Sequence, residues 1–533
     1  MRPTSVSSGK SAIVLSLVLL SFSAVAFGQT VSVSPSGGPP TSETRVSGSG
    51  FSPDTEIDIY FDTTYEAFVN ANSSGSFSNF SIPVPASAVP GKHWVSAEQV
   101  STDTGAQTPF KVNTNWSELG FTPSGNRYNP YENVLSTANV PTLQLKWTYF
   151  LGLPSLGFAG FNSSAAVVNG IVYVGSACVC GGSMNALNAT TGKLLWTYPT
   201  TGPSIGTVVS SPTVTRTLFL GAPYFVEVVY FGSDDHNVYA LNASNGDLVW
   251  SYTTGSAVDS SPTVVNGVVY VGSDDHNVYA LGASNGDLVW SYTTGSAVDS
   301  SPAVANGVVY IGSEDSQLYA LTGVGNHLDW KAGACGSVES SPVVANGAIY
   351  AGDDGSLLGG CVTAFFASDG QILWQVNNGN ENEPFLSLAE SNGVIYGGAD
   401  LGSLSAFNYN GSTLWTVYPC QLNCDLSFID YSSSAVANGV IYVGGAFTGV
   451  TNQGGFVAAV DAATGAVLWN YPFDGAVEAS PTVANGMLYI QAEDGYLYAF
   501  GLPSAPQSPS RPALSSLHRD FSLKSSQGSG QSQ

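Results

Sequence analysis

The sequence predicts an all-β protein, in which a small β-sandwich precedes an eight-bladed β-propeller. Charged residues make up only 10% of the chain, which contains 61 Gly and 28 Pro. This composition favours strands joined by tight turns over long helices. A unit of about 40 residues recurs along the chain, as it does in propellers. With 533 residues, the chain also exceeds one ordinary domain.

The first 28 residues resemble a secretory signal peptide. Arg2 and Lys10 precede an apolar run, SAIVLSLVLLSFSAVAF, which ends in the small residues Ala24, Ala26 and Gly28. Such a run is shorter than the ~18 residues of a membrane-spanning helix, and small residues suit signal peptidase. We therefore predict that residues 1–28 are removed and that no membrane insertion follows. The mature protein is expected to be exported, to the periplasm, the cell surface or the medium.

The charge balance excludes two classes of partner. Lys and Arg number 13 against 38 Asp and Glu, which gives a net charge of −25. Such a surface repels phosphate backbones and anionic lipid. Neither nucleic acid nor a membrane surface is an expected partner.

The cysteines predict disulfide bonds rather than a metal site. An even number of cysteines in an exported chain favours disulfides. A zinc site would need paired CxxC spacings or nearby His residues, and the sequence has neither. The spacings CVC and CQLNC could close small loops and leave Cys335 with Cys361, but the sequence does not fix this pairing. The six cysteines are Cys178, Cys180, Cys335, Cys361, Cys420 and Cys424.

Residues 30–112 are predicted to form the small β-sandwich. Short alternating strands are separated by Gly, Pro and Ser turns, as in SGSGF and GSFSNFSIPVPASAVPGKHWV. Through these two stretches the region resembles the immunoglobulin-like domains found N-terminally in bacterial surface proteins. At the other end of the chain, residues 503–533 are rich in Pro, Ser and Gln and poor in apolar residues, which predicts disorder.

Residues 115–502 carry the repeat. One unit reads SSPTVVNGVVYVGSDDHNVYALGASNGDLVWSY and divides into the strands SPTVV, GVVYVGS, NVYAL and DLVWSY. The turns VNG, SDDHN and ASNG supply the Asn, Asp and Gly that tight hairpins need. Repeated four-stranded units of ~40–45 residues are typical of a β-propeller. The recurring Trp residues are predicted to be packing anchors; they are Trp147, Trp196, Trp250, Trp290, Trp330, Trp374, Trp415 and Trp469.

The two ends of the repeat region predict the number of blades. The last unit, SPTVANGMLYIQAEDGYLYAF, stops before its fourth strand, and LQLKWTYF around Trp147 is a fourth strand without a blade. Joining the two completes an eighth blade and leaves no open sheet edge. We therefore predict eight blades, closed by an N-terminal strand.

The repeat pattern GxVYxGSxDxxxYALxAxxGxxxW resembles that of pyrroloquinoline-quinone enzymes and of their non-catalytic relatives. The segment at residues 115–147 is similar to the first segment of that superfamily. The resemblance implies a quinone and a calcium ion in the central channel. It further implies an adjacent Cys-Cys disulfide, carboxylate and amide calcium ligands, an Asp base and a cation on the quinone carbonyls. This sequence has no adjacent Cys pair, and the cations of residues 115–502 are Arg127, Lys146, Lys193, Arg216 and Lys331.

Two sets of acidic residues are predicted to meet at one end of the channel. In a blade, the turn between strands two and three lies on the same face as the link into strand one. Asp favours such turns and keeps a protein soluble, which explains the turn set without a ligand. The other interpretation is that Asp259, Asp299 and Glu339, in the links into three consecutive blades, form part of a metal or basic-ligand site. The turn set is Asp234, Asp235, Asp274, Asp275, Glu314, Asp315, Asp353, Asp354, Glu493 and Asp494, and Glu478 completes the link set.

His236 and His276 occupy the same turn of neighbouring blades. A whole blade separates them, so we expect two exposed side chains that share no metal. None of the five His falls in HExxH and no GxSxG is present, so zincins and hydrolases lack their local motifs. We predict no catalytic residues.

The leading functional prediction is a non-enzymatic scaffold. We expect an exported monomer that binds a protein, peptide or glycan through its loop-rich faces, with no cofactor. Relatives that act in outer-membrane protein assembly support this class by analogy, although they are lipoproteins and this chain lacks the lipid-attachment cysteine. The alternative is a dehydrogenase of alcohols or sugars that depends on pyrroloquinoline quinone (PQQ) and calcium.

Overall fold

The fold was analysed in a computed structural model. It describes residues 28–153, 163–178, 181–200, 204–219, 224–323, 327–353, 360–377, 388–399, 403–420, 432–448, 453–504, 509–514 and 517. These residues form β-strands and one short 3₁₀ helix at Val140–Thr142, so the predicted all-β class is confirmed. None of the described helices has the length and apolar character needed to cross a membrane. The predicted signal peptide lies outside the described residues, apart from Gly28.

The N-terminal region forms two sheets around one core. Strands β1, β3 and β6 form a three-stranded sheet, and β2, β8, β7, β4 and β5 form a five-stranded sheet. Apolar side chains from both sheets, including Val46, Ile59 and Phe110, are buried between them. The strands are β1 (Thr30–Ser34), β2 (Gly37–Gly38), β3 (Glu43–Ser49), β4 (Glu56–Phe61), β5 (Thr64–Asn70), β6 (Phe77–Pro83), β7 (Gly91–Gln99) and β8 (Thr104–Val112).

The remaining described strands form eight further sheets. Seven of them have four antiparallel strands, and the eighth has four antiparallel strands and a short fifth strand that pairs in parallel. The first two strands are β9 (Tyr128–Asn129) and β10 (Gln144–Phe150). Four sheets follow: β11 (Ala166–Val168), β12 (Ile171–Cys178), β13 (Gly181–Asn188) and β14 (Leu194–Tyr198); β15 (Thr213–Leu218), β16 (Phe225–Ser233), β17 (Asn237–Asn242) and β18 (Leu248–Thr253); β19 (Thr263–Val265), β20 (Val268–Ser273), β21 (Asn277–Gly282) and β22 (Leu288–Thr293); β23 (Ala303–Ala305), β24 (Val308–Ser313), β25 (Gln317–Thr322) and β26 (His327–Gly333).

The other strands are β27 (Val343–Ala345), β28 (Ala348–Gly352), β29 (Cys361–Phe366) and β30 (Ile372–Asn377); β31 (Ala389–Ser391), β32 (Val394–Ala399), β33 (Ser403–Asn408) and β34 (Thr413–Val417); β35 (Ala435–Ala437), β36 (Val440–Thr448), β37 (Gln453–Asp461) and β38 (Val467–Phe473); and β39 (Thr482–Ala484), β40 (Met487–Ala492) and β41 (Tyr496–Gly501). Strand β10 pairs with β41 and supplies the fourth strand of the last sheet. The first strands of successive sheets contact one another, and β39 contacts β11, so these sheets form a closed ring.

The hairpin turns follow from the repeat sequence. Asn266 and Gly267 join β19 to β20 and both have positive φ, 51° and 79°. A two-residue hairpin turn of type I′ requires this backbone conformation, which Asn-Gly adopts with little strain. Asn306 and Gly307 repeat the arrangement between β23 and β24, with φ of 52° and 81°.

The repeat Trp residues lie between neighbouring sheets. In the described residues, seven of the eight donate the indole N–H to a backbone carbonyl of the next sheet, over 2.7–3.3 Å. Trp250 Nε1, for example, donates to the carbonyl of Ala283 at 2.9 Å. Gly286, with φ of +73°, packs beneath the same ring, where an added Cβ would lie 2.8 Å from ring carbons. The repeat thus places a Trp from one sheet against a Gly of the next.

An irregular segment lines the inside of the ring. We call residues 114–129 the axial segment. Its carbonyl groups accept hydrogen bonds from the first strands of separate sheets, including Ser117 from Val214 at 2.7 Å and Ser124 from Val344 at 2.8 Å. Further along, the carbonyl of Arg127 accepts from Val436 in β35, which belongs to another sheet, at 2.9 Å. The segment therefore bridges sheets that are far apart in sequence.

One disulfide joins Cys335 to Cys361, which is the pairing that the sequence leaves open. Cys178 and Cys420 are also disulfide-bonded, whereas Cys180 and Cys424 lie outside the described residues. The carboxylate of Asp353 accepts the backbone N–H groups of Cys335 and Cys361, each at 3.1 Å. Because the two sulfur atoms are bonded to each other, this group offers no thiolate to a metal.

Part of the C-terminal region contacts the N-terminal sheets. Arg511 Nε donates to Gln107 Oε1 at 2.5 Å, and Gln107 Nε2 donates to the carbonyl of Pro512 at 2.9 Å. The Arg511 guanidinium also lies 5.0 Å from the centre of the Trp94 ring. Residues 511 and 512 are held in this way, although the sequence predicts disorder for 503–533.

Candidate functional site

Two carboxyl pairs lie at one end of the ring. Asp234 is in the turn between β16 and β17, and Asp259 is in the link into β19; their carboxyl groups share a hydrogen bond. One sheet further on, Asp274 and Asp299 form the same pair. The charges of Asp259 and Asp274 act on each other, and that of Glu314 acts on Asp299. We call Asp234, Asp259, Asp274 and Asp299 the carboxylate cluster.

Backbone contacts bring each turn next to the neighbouring link. The N–H of Val258, which precedes Asp259, donates to the carbonyl of Ser233, which precedes Asp234, at 3.3 Å. One sheet further on, the N–H of Val298 donates to the carbonyl of Ser273 at 3.3 Å. The repeat therefore sets each turn carboxyl opposite a link carboxyl.

Burial and neighbouring charge oppose ionisation of Asp259 and Asp299. Burial, the hydrogen bond with Asp234 and nearby negative charge raise the pKa of Asp259 from 3.8 to about 8. Burial, the bond with Asp274 and the charges of Asp274, Asp259 and Glu314 raise the pKa of Asp299 from 3.8 to about 8. The two pairs therefore hold protons at neutral pH, unless a cation replaces them.

Three oxygen atoms of the cluster are buried without a partner. They are Asp259 Oδ1, Asp274 Oδ1 and Asp299 Oδ1. The described part of the chain places no Lys or Arg in an ion pair with these carboxyls. Buried polar atoms are normally hydrogen-bonded, so three orphaned carboxylate oxygens are unusual. Carboxylate oxygens are the ligands that calcium prefers, so the donor set fits a hard cation.

The neighbouring acidic residues have structural roles. The carboxylate of Asp275 accepts the Tyr279 hydroxyl at 2.6 Å and the Gly255 N–H at 2.6 Å. These bonds stabilise the ionised form, and the pKa of Asp275 is lowered despite its burial. Tyr239 makes the equivalent contact with Asp235 at 2.8 Å. The second Asp of the repeated Asp-Asp-His turn therefore stabilises the hairpin to which it belongs.

Of the three predicted ligands, the structure brings two near each other. Asp259 and Asp299 belong to the carboxylate cluster, whereas Glu339 is exposed. The sequence predicts that the turn set, with Asp234 and Asp274, meets the link set at one end of the channel, but it does not predict which turn residue pairs with which link residue. Register across neighbouring sheets determines that pairing. His236 and His276 are exposed, with φ of 70° and 71°.

The described residues offer no stacking platform for a quinone beside the cluster. The repeat Trp rings are engaged between sheets, and Trp116 is buried against Phe121, 5.2 Å between ring centres. The Cys335–Cys361 disulfide joins residues 26 apart, unlike the adjacent pair that the resemblance implies. The cation therefore fits the residues present. The quinone does not fit those that the structure describes, and we derive no step through it.

Comparison with known proteins identifies relatives that are named as quinone or quinoprotein alcohol dehydrogenases. The dehydrogenase subunit of a quinone alcohol dehydrogenase from Gluconobacter oxydans is 33% identical over 163 residues, which are 28% of this chain and 20% of that protein. The quinoprotein alcohol dehydrogenase PedH from Pseudomonas putida is 26% identical over 178 residues, 32% of this chain and 27% of that protein. The matched stretches thus span about a fifth to a quarter of these relatives.

Solved structures share the fold at low sequence identity. A quinohemoprotein alcohol dehydrogenase from Comamonas testosteroni superposes with a TM-score of 0.55 at 15% identity, over 74% of this chain and 82% of that one. A europium-containing methanol dehydrogenase gives a TM-score of 0.54 at 12% identity, over 73% of this chain and 98% of that one. These names and those of the relatives contradict the prediction that no cofactor is involved. The absence of a local motif does not exclude a cofactor, because a site can be formed by residues that separate sheets bring together.

The repeats also match a family profile. The profile described as outer membrane protein assembly factor BamB matches residues 121–223, 220–301, 293–399 and 400–502. The matches cover well over half of the chain and coincide with the ring of sheets. The chain therefore belongs to this PQQ-repeat family, within the PQQ-type β-propeller superfamily.

Proposed function

We propose that the chain is an exported redox protein of the quinone-dependent dehydrogenase type, with a calcium or lanthanide ion bound at the carboxylate cluster. The orphaned oxygens of Asp259, Asp274 and Asp299 carry this proposal. Sequence similarity to quinone alcohol dehydrogenases supports it, and favours this alternative over a non-enzymatic scaffold. A cation bound at the carboxylate cluster would act there as a Lewis acid.

The chain's own contribution is to exchange protons for the cation. Asp259 and Asp299 hold protons up to a pKa of about 8. A cation that binds the cluster must displace those protons, so its apparent affinity rises with pH up to about that value. A bound divalent ion would neutralise two of the four carboxylate charges that the ionised cluster carries.

The architecture proposed for this function has eight blades. The β10–β41 pairing and the contact of β39 with β11 support eight blades within residues 115–502. We propose an immunoglobulin-like sandwich at 30–112, since its two sheets share one core.

The proposed location is the periplasm, the cell surface or the medium, after removal of residues 1–28. We propose that the protein is a monomer.

Reconstitution tests the redox function. The purified protein would be incubated with PQQ and calcium or lanthanum, and dye reduction would be followed with alcohols and aldoses. We expect turnover that needs both the quinone and the ion, and an apparent ion affinity at least about tenfold weaker in Asp299→Asn. Asp287→Asn is the matched control, because Asp287 is an exposed turn residue outside the cluster. Absence of quinone binding and of turnover at saturating ion would overturn the proposal.

A cleft favours a second candidate, a binding protein for a peptide or glycan. It measures about 820 Å³ and lies between the N-terminal sheets and the ring. Lys111 Nζ donates to the carbonyl of Asn169 at 2.9 Å, and Asn169 donates to Glu227 at 2.6 Å. The Arg216 guanidinium lies 5.2 Å from the exposed Phe225 ring. This size and mixed lining suit a small ligand.

Glycan and peptide arrays test the second candidate. Saturable binding that is lost in a Phe225→Ala variant, together with no dye reduction after reconstitution, would favour it over the redox function. If the protein binds no glycan and no peptide above background, the cleft is not a ligand site for either class. A Phe366→Ala variant is the control, because Phe366 is also exposed and lies outside the cleft.

A further inference from the structure

Arg127 lies buried at the inside of the ring without an acidic partner. It belongs to the axial segment, and only 2% of it is exposed. Within the described ranges its guanidinium makes one hydrogen bond, from Nη1 to Ser480 Oγ at 3.3 Å, and no ion pair. A guanidinium carries five N–H donors. Most of them therefore remain available, and burial lowers the pKa of Arg127 to about 9.

Serine hydroxyls surround the same space. Before five of the first strands that the structure describes, the backbone N–H of a serine donates to the hydroxyl of the corresponding serine of the next sheet. Ser211 donates to Ser261 Oγ at 2.8 Å, and Ser261 donates to Ser301 Oγ at 2.9 Å. Each of these oxygens thus accepts a bond and keeps its own O–H as a donor. The part of the chain that the structure describes provides no acceptor for the hydroxyls of Ser261 and Ser301.

Residues that carry these donors line one small cavity. Arg127, Ser261, Ser301 and Ser341 all line it, and its volume is about 20 Å³. That is room for about one water-sized particle. Glu118, on the same axial segment, supplies no negative charge at neutral pH, because burial raises its pKa to about 8.

A buried cation without a counter-charge is costly unless something compensates for it. We propose that this axial cavity binds one small monovalent anion, such as chloride, between the Arg127 guanidinium and the hydroxyls of Ser261 and Ser301. The anion would accept hydrogen bonds from donors on three separate parts of the fold and so lock the axial segment to the ring. The proposal does not rest on the redox function, because no residue of the carboxylate cluster lines this cavity.

Thermal melting tests the site with chloride as the probe. Melting temperatures would be measured as sodium chloride replaces sodium gluconate at constant ionic strength. Gluconate serves as the reference anion because it is too large for the cavity. We expect a saturable rise with chloride. Arg127→Met should abolish it, and Ser261→Ala should weaken chloride binding by about tenfold, the effect of losing one hydrogen bond to a charged group.

Ser211→Ala is the matched control. Ser211 Oγ accepts the Ser164 N–H at 2.9 Å, so this variant loses the same kind of bond between sheets as Ser261→Ala. Ser211 does not line the cavity, so its chloride dependence should match that of the wild type. If Arg127→Met fails to fold, bromide-soaked crystals of the wild type decide, through an anomalous peak beside Arg127. Equal melting in chloride and gluconate, or no bromide peak, would overturn the proposal and leave only water in the cavity.

Discussion

Raising the pH without a cation should destabilise the protein. Asp259 and Asp299 have pKa values raised from 3.8 to about 8 by burial, by their paired carboxyls and by nearby charge. The folded state therefore binds more protons than the unfolded state between pH 4 and pH 8. The stability from these groups is complete below pH 4 and is lost as the pH rises through 8.

The size of this effect follows from the shift. A rise of about four pKa units in one carboxyl corresponds to at most about 5–6 kcal/mol. The mouth of the ring is open to solvent, which reduces the effect, and we expect a loss of about 2 kcal/mol for the two groups together. Because a bound cation replaces the protons, millimolar calcium should restore most of that stability at pH 8.5 and little of it at pH 5.

Chemical denaturation at pH 5, 7 and 8.5, with calcium or with a chelator, measures this directly. The control is the double variant Asp259→Asn, Asp299→Asn, whose stability should change little over the same range and should not respond to calcium. A wild-type protein that is equally stable at pH 5 and pH 8.5 in chelator would refute the assigned protonation. So would a response to calcium that the double variant shares.

Two further predictions concern the packing of the sheets. Gly286→Ala should lower the free energy of unfolding by about 2–4 kcal/mol, because the new side chain is strained at positive φ and clashes with Trp250. Gly307 also has positive φ but has open space around it, so Gly307→Ala should lower the free energy of unfolding by only about 1 kcal/mol. Equal costs in urea denaturation would show that the Trp–Gly contact does not limit stability. Replacing Cys335 and Cys361 together by Ser should cost about 3 kcal/mol; a double variant with the wild-type denaturation midpoint would contradict a stabilising role for this disulfide.

The sequence predicts most of the fold because the repeat is local. Each turn, such as Asn266–Gly267, and each alternating strand is encoded within one unit. Strands β10 and β41 are far apart in the sequence, yet their pairing is predictable. The last repeat unit lacks its fourth strand, and the strand around Trp147 has the sequence of a fourth strand but belongs to no complete unit. The immunoglobulin-like form of the N-terminal sheets stays a prediction.

The axial segment and the carboxyl pairs are harder to predict. Residues 114–129 have no periodic pattern, and their hydrogen bonds go to sheets that are up to about 300 residues away along the chain. Asp234 reads as an ordinary turn residue, and only the register of adjacent sheets places it against Asp259. Arg127 stands out in the sequence as a rare cation, but nothing in the sequence shows that it is buried. The candidate sites are formed by contacts between repeats, and the pattern within one repeat does not predict those contacts.

Direct titration with a cation tests most directly whether the carboxylate cluster is a cation site. Calorimetric titration with calcium and with lanthanum at pH 8.5 should give one saturable site in the wild type and in Asp287→Asn. The site should be lost when Asp259 and Asp299 are both replaced by Asn. Absence of binding in the wild type, or equal binding in all three proteins, would contradict the assignment of the cluster as a cation site.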